Sequence, residues 1–157
     1  MVLILTKMDL EKVLAMKEVI EVVEGAFAQL TKGIVKMPLR AMIDVDKYKG
    51  FVLYMPAYLE GSDALAVKIV SLYEQNLEKY GLPTILATIQ LSDPKTGTPL
   101  ALMEGGYITA MRTGAASGVA TKYLARENSR VVGIIGAGVQ ARMQLWAVRE
   151  ARNVEKV

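Results

Sequence analysis

Three features of the chain could do chemistry, and none uses histidine or cysteine, because its 157 residues contain neither. The first is Val131-Val132-Gly133-Ile134-Ile135-Gly136-Ala137-Gly138-Val139-Gln140-Ala141, a G-x-G-x-x-A turn between an apolar run and a helical segment. Gly136 permits a tight turn, Gly138 lets a pyrophosphate approach the backbone, and Ala141 keeps helix and strand close. The helix N-terminus offers unpaired N–H groups and partial positive charge to the phosphates. Dinucleotide binding is the chemistry this arrangement suits; a plain strand-to-helix turn is the bland alternative. The second feature is Lys68, a cation inside the apolar run Leu65–Val70. It reads either as an edge-strand lysine snorkelling to water or as an ammonium aimed into a cleft, polarising a carbonyl or imine. The third is Arg112, which with Lys122 carries the only charge between Tyr107 and Ala125. Helical geometry puts it near Ile108, Val119 and Tyr123, an apolar face. A buried guanidinium there needs an anionic partner. That partner is either an internal carboxylate such as Glu104 or a bound carboxylate or phosphate held by the guanidinium fork.

The missing residue types remove disulfides, thiolate nucleophiles, Cys/His zinc sites and every Ser-His or Cys-His pair. Acid–base work is left to Lys, Asp, Glu, Tyr or water, and no metal site is expected.

The elements that must position these groups can be read in chain order. Leu3–Leu5 is a short strand, and Thr6 with Asp9 marks a helix start. Residues Leu10–Lys32 are helical, with Val19, Val22, Val23, Ala26, Phe27 and Leu30 forming a stripe. A break near Ala15-Met16 splits the segment, and Gly33 caps it. Met37–Val45 alternates as a strand that includes Arg40, and a turn at Asp46–Gly50 leads into Phe51–Tyr58, making a hairpin. Further strands are expected at Leu65–Ser71, Thr84–Leu91 and Leu100–Met103. A polar loop at Asn76–Pro83 and a turn at Asp93–Gly97 separate them. Tyr107–Ala125 is a helix small or apolar nearly all round, hence expected to be buried. Gly114 and Gly118 would let a neighbouring backbone come close. Val131–Ile135 reads as a buried strand, followed by a helix from Val139 to about Ala151. Val154–Val157 opens another apolar stretch.

The fold class is therefore α/β: a mixed α+β domain over residues 1–125, then the opening βα unit of a Rossmann-type domain over 126–157. A Rossmann unit reads the ribose 2′ position about 20 residues beyond its glycines. That place falls at Lys156, where a second strand has only begun. A chain cut inside its nucleotide domain, without turnover by itself, is the expectation.

Several segments together resemble the ornithine cyclodeaminase/mu-crystallin family. They are Met55-Pro56-Ala57, Lys68-Ile69-Val70-Ser71, Asn76 ahead of Gly81-Leu82-Pro83-Thr84, Asp93 with Thr96–Ala101, Thr109–Ala116, Tyr123-Leu124-Ala125 and Ile135–Ala141. The resemblance covers essentially the whole chain, but only about the first half of a typical member. It implies a substrate-binding and dimerisation domain over 1–125, a Rossmann domain beginning at 126, and a homodimer formed through the first domain. It implies NAD or NADP as cofactor, without deciding between them, and a small amino or cyclic imino acid as substrate. Activities in the family include alanine dehydrogenase-like and imino-acid reductase-like oxidoreduction and ornithine cyclodeamination; a non-catalytic dimerisation module is the remaining alternative. The segment Arg112–Ala116 is nearer the dehydrogenase and reductase side. By the same resemblance Lys68 is catalytic and touches substrate, Arg40 and Arg112 hold the substrate carboxylate, and Thr84, Arg112, Thr113, Gly136, Gly138, Val139 and Gln140 line the cofactor. An Asp from the second half of a typical member takes part in the chemistry.

Composition limits the other partners. The chain is 52% hydrophobic and 22% charged, a globular balance. The net charge of +3 comes from 19 basic and 16 acidic residues with no dense cationic stripe, so nucleic acid is not an expected partner. The uncharged run Tyr80–Ser92 is too short to cross a bilayer, and Lys7 and Asp9 interrupt any signal-peptide pattern. No membrane partner and a cytoplasmic location are the expectations.

Overall fold

The computed structural model describes residues 1–157. Strand β1 (Leu3–Leu5) is followed by α1 (Lys7–Val13), which starts at a reciprocal cap. The Thr6 N–H and hydroxyl donate to Asp9 Oδ2 at 3.0 and 2.6 Å, and the Asp9 N–H reaches Thr6 Oγ1 at 3.4 Å. Helix α2 (Met16–Thr31) begins after the anticipated break and ends at Gly33, whose φ of +72° suits glycine. Next come β2 (Val35–Lys36), β3 (Ala41–Val45), β4 (Gly50–Leu59), β5 (Ala64–Tyr73), α3 (Asn76–Tyr80), β6 (Ile85–Ser92) and β7 (Pro99–Glu104). The chain ends with α4 (Gly105–Leu124) and α5 (Val139–Ala151).

Packing divides the chain into two compact units: residues 1–11 with 29–107, and residues 12–28 with 108–157. The division differs from a cut at residue 125, because the first part of α2 and nearly all of α4 group with the C-terminal segment.

The first unit is a mixed seven-stranded sheet in the order β1-β7-β6-β5-β4-β2, with β3 also paired to β4. Only β1 and β7 run parallel. The long β4–β5 hairpin runs in register from Gly50↔Tyr73 to Leu59↔Ala64. Two expectations are corrected here. Met37–Val45 is not one strand: β2 pairs with Tyr58-Leu59 and β3 with Gly50–Tyr54, leaving Met37–Arg40 outside the ladder. Pro38 has no N–H to give, and neither does Pro56 in the part of β4 left opposite. Asn76–Pro83 is not all loop, since Asn76–Tyr80 forms α3, closed by Gly81 at φ +64°.

In the second unit Met16, Ile20, Ala110, Met111, Ala115, Val119 and Ala147 are buried. Small residues on α4 make this packing possible. A Cβ on Gly114 would lie 2.5 Å from the Met143 carbonyl oxygen of α5. One on Gly118 would lie 2.9 Å from Ile20 of α2 and 3.1 Å from Ala147 of α5. Helix α4 is nevertheless not buried all round: Arg112, Ala120 and Lys122–Leu124 are exposed. Two polar ties complete the unit. Lys122 Nζ lies 2.7 Å from Glu24 Oε2, and the Tyr123 hydroxyl also donates to Glu24. The Arg152 guanidinium donates to the carbonyls of Lys122, Ala125 and Arg126 at 2.9, 3.0 and 3.4 Å, satisfying the end of α4.

Candidate functional site

In the sheet unit the central residue is Lys68. It sits on β5, between Met55 on β4 and Ile89 on β6, and is half-buried. Strand pleating puts it on one face with Ala66 and Val70, in the cross-strand row Leu5–Met103–Ile89–Lys68–Met55. An edge-strand lysine is therefore excluded: β5 has a full ladder on each side. An ammonium on the interior of a sheet pulls more strongly on a developing negative charge than one in open water.

Arg40 is exposed and lies just before β3 rather than inside a strand. Its chain neighbour Ala41 pairs with Tyr54, and the next residue of β4, Met55, pairs with Lys68. Strand spacing thus puts the backbones of Ala41 and Ile69, the chain neighbours of Arg40 and Lys68, about 10 Å apart across β4. Thr84 is half-buried just before β6, where its carbonyl accepts from the Tyr73 N–H at 2.9 Å. Tyr73 is five residues from Lys68 along β5, so Thr84 is displaced from Lys68 by about 16 Å along the strand.

In the second unit Arg112 projects from α4 into solvent. The expected buried guanidinium is corrected: its side of α4 is the open one, and it has no ion pair. Glu104, the internal partner considered from sequence, instead caps α4, accepting from the Gly106 and Tyr107 N–H groups at 2.6 and 2.8 Å. Thr113 donates its hydroxyl to the Thr109 carbonyl at 2.6 Å, while the Thr109 hydroxyl is buried without a partner.

The glycine turn forms beside a cleft of about 400 Å³. Val131–Ile135 is not a continuous strand, contrary to expectation. Only Val131 is bridged, in parallel to Lys156, and the Val132 N–H donates to the Lys156 carbonyl at 2.9 Å. A strand exists only where a neighbour takes its hydrogen bonds, and Val154–Val157 supplies a single bridge. The loop–helix geometry is otherwise as anticipated. Gly136 has φ +97°, which a side chain would strain, and Gly138 stands at the N-terminus of α5 in extended conformation. A Cβ at either glycine would meet no protein atom, so the missing side chains leave an open cradle. No side chain caps the α5 N-terminus and no acid occupies its first turn, leaving its N–H groups to an anion. Val139 is exposed there, and Gln140 lines the cleft with its Oε1 buried and unpaired. An orphaned acceptor beside an open anion cradle fits a dinucleotide, which brings hydroxyl and amide donors as well as phosphate. Gln144, Leu145 and Val148 also line the cleft. Sequence reasoning missed these three; their i, i+1, i+4 spacing on one face of α5 was the available signal.

Comparison with known proteins shows the family and the fold. The sequence profile of the Ornithine cyclodeaminase/mu-crystallin family matches residues 1–157. The alanine dehydrogenase of Archaeoglobus fulgidus is 43% identical over 155 residues, 99% of this chain and 47% of the relative. Among solved structures, Thermococcus litoralis Delta(1)-pyrroline-2-carboxylate reductase in complex with NADH and L-proline is 68% identical, with a TM-score of 0.92 over 98% of this chain and 47% of that one. An archaeal alanine dehydrogenase dimer with bound NAD is 42% identical, with a TM-score of 0.91 over 98% of this chain and 46% of that one. The chain spans about half the length of the curated relatives it matches. It belongs to the ornithine cyclodeaminase/mu-crystallin family.

Proposed function

We propose that this chain is the substrate-binding and cofactor-entry portion of a nicotinamide-dependent oxidoreductase acting on a small amino or cyclic imino acid. The observation that carries the reading is the open glycine turn, with its positive-φ Gly136, uncapped α5 N-terminus and orphaned Gln140 Oε1. Gly136, Gly138, Val139 and Gln140 hold the dinucleotide there. When bound, the nicotinamide supplies or accepts the hydride. Lys68 polarises the reacting C=N or C=O group from the middle of its apolar row, and Arg40, two strands away, takes the substrate carboxylate. Arg112 offers an unpaired fork to a carboxylate or a phosphate. Thr84 and Thr113 are proposed cofactor contacts on family resemblance alone.

A cyclic imino acid is favoured over a keto acid by the 68% identity to the reductase solved with L-proline. NADH is favoured over NADPH because NADH and NAD are the forms in the two similar structures above. The sheet face opposite Lys68 carries the exposed apolar residues Ile4, Ile43, Ile69, Leu86 and Leu102. It is the proposed face for a homodimer through residues 1–125, as the archaeal alanine dehydrogenase is a dimer.

The test is NADH binding by fluorescence, with NADPH as the competing arm, on the chain and on any longer polypeptide that contains it. NADH oxidation is then followed with Δ1-pyrroline-2-carboxylate, with pyruvate plus ammonia, and in reverse with L-proline. NADH binding that Gly138→Val abolishes, with turnover of the imino acid, is the expected result. Release of ammonia and proline from ornithine without net NADH change would replace it with cyclodeamination.

A further inference from the structure

The sheet unit holds a second cleft lined by none of the residues assigned above, with Thr84 bonded behind its Tyr73 wall. Its volume is about 380 Å³, within the roughly 300–1,000 Å³ of small-molecule sites. Its walls include Lys47, Tyr48, Tyr73, Lys79 and Tyr80. Tyr73 ends β5, five residues from Lys68, so the cleft lies about 16 Å along the strand from the lysine row.

The local backbone builds these walls firmly. Lys47 and Tyr48 sit on a single 3-10 turn between β3 and β4, closed by Lys49 in the left-handed region at φ 51°. Tyr73 pairs with Gly50, and its ring fills the space a Cβ at residue 50 would need. Lys79 and Tyr80 end α3, where Gly81 turns the chain at φ +64°. The Asn76 side chain donates to the Pro83 carbonyl at 3.1 Å, tying α3 to the following loop.

The charge in this cleft is one-sided. No carboxylate lines it, and neither Lys47 nor Lys79 has an ion pair. Lys47 Nζ lies 5.1 Å from the Tyr48 ring centroid, so the ammonium rests against an aromatic face instead. Tyr48 and Tyr80 are 56% and 67% exposed, more than such rings need if they only served packing. We propose that this cleft binds a small anion carrying a flat ring, an aryl carboxylate or aryl phosphate. The ring lies against the phenols and the anionic group between the two ammonium groups.

Titration calorimetry with phenyl phosphate tests this, with benzoate as the carboxylate arm and inorganic phosphate and benzyl alcohol as the halves. The expected result is millimolar or tighter binding of phenyl phosphate or benzoate, stronger than either half. Lys47→Ala and Lys79→Ala should each weaken it by about tenfold, the loss of one contact to a charged group. Tyr80→Leu, a change at an exposed ring, should weaken the aryl anions but not inorganic phosphate, while Gly138→Val should leave binding intact. Three outcomes would overturn the proposal: no binding at millimolar concentration, binding untouched by both lysine variants, or binding lost in Gly138→Val alone. So would a Tyr80→Glu variant that changes the oligomeric state of a protein that binds none of the probes, because the cleft would then be a subunit contact.

Discussion

Lys68 gains its character from its row. Leu5, Met103, Ile89 and Met55 are its apolar neighbours in register across the sheet. In the catalytically competent protein, Lys68→Ala is expected to lower kcat by about 10²–10³, the cost of removing one electrostatic stabiliser. Lys68→Arg should not restore it, since a planar fork copies a compact ammonium poorly. Steady-state kinetics decide this, and a wild-type kcat in Lys68→Ala would leave only a structural cation. A second residue-scale expectation concerns Glu24. Hydrogen bonds from Lys122 and Tyr123 hold its carboxyl below the usual glutamate range, and its bond to Lys122 holds that ammonium above the usual lysine range. A depressed carboxyl stabilises the fold above its unfolded pKa, and that contribution is lost as pH falls through the folded value. The raised lysine contributes below its unfolded pKa and loses this as pH rises through its own raised value. Glu24→Gln should therefore flatten the acid limb of a plot of urea midpoint against pH. An unchanged acid limb would show that the pair contributes nothing.

At the scale of elements, α4 is where small residues matter most. Gly114 lies under the α5 backbone and Gly118 lies between Ile20 and Ala147. Gly114→Val is expected to cost about 1–3 kcal/mol through overpacking, measured by denaturant unfolding, because the neighbour is a backbone carbonyl that cannot rotate away. Gly138 faces open space, so Gly138→Val should fold normally yet lose NADH binding. These two glycines thus separate packing from ligand approach: one variant loses stability and the other affinity. Equal stability losses in both would contradict that division.

For the molecule as a whole, the unused sheet face sets the expectation. Ile69, Leu86 and Leu102 are 39%, 41% and 39% exposed on one side of a seven-stranded sheet, an apolar surface of the kind that marks an interface. Light scattering of the folded protein should show a dimer, and Leu102→Glu should dissociate it; a monomer at the 17.1 kDa chain mass would refute this. Hydrogen exchange should also be uneven. β5 is laddered on both sides, whereas Val131–Ile135 has one bridge and Ile135 is fully exposed. Amides of residues 131–135 should exchange faster than those of β5. Equal protection would mean that the segment finds partners elsewhere.

Local signals in the sequence determined most of the elements. The Thr6–Asp9 cap, the break before Met16, Gly33, the β3–β4 turn and the glycine turn all rest on backbone preferences within a few residues, and all formed as expected. The fold class and the family were legible because motifs distributed from Met55 to Ala141 kept their order and spacing. Tertiary structure decided what depends on distant partners. Whether Lys68 was edge or centre depended on β4 and β6 flanking β5. Whether Arg112 was buried depended on which side of α4 received α2 and α5, and Ala, Gly, Ser and Thr differ too little in hydrophobicity to show that side. The division of the chain was likewise invisible in order along the sequence, because α2 packs with helices almost a hundred residues away, as Glu24 and Lys122 show. A turn or cap is stabilised by its own neighbours; a face is chosen by whatever chain happens to cover it.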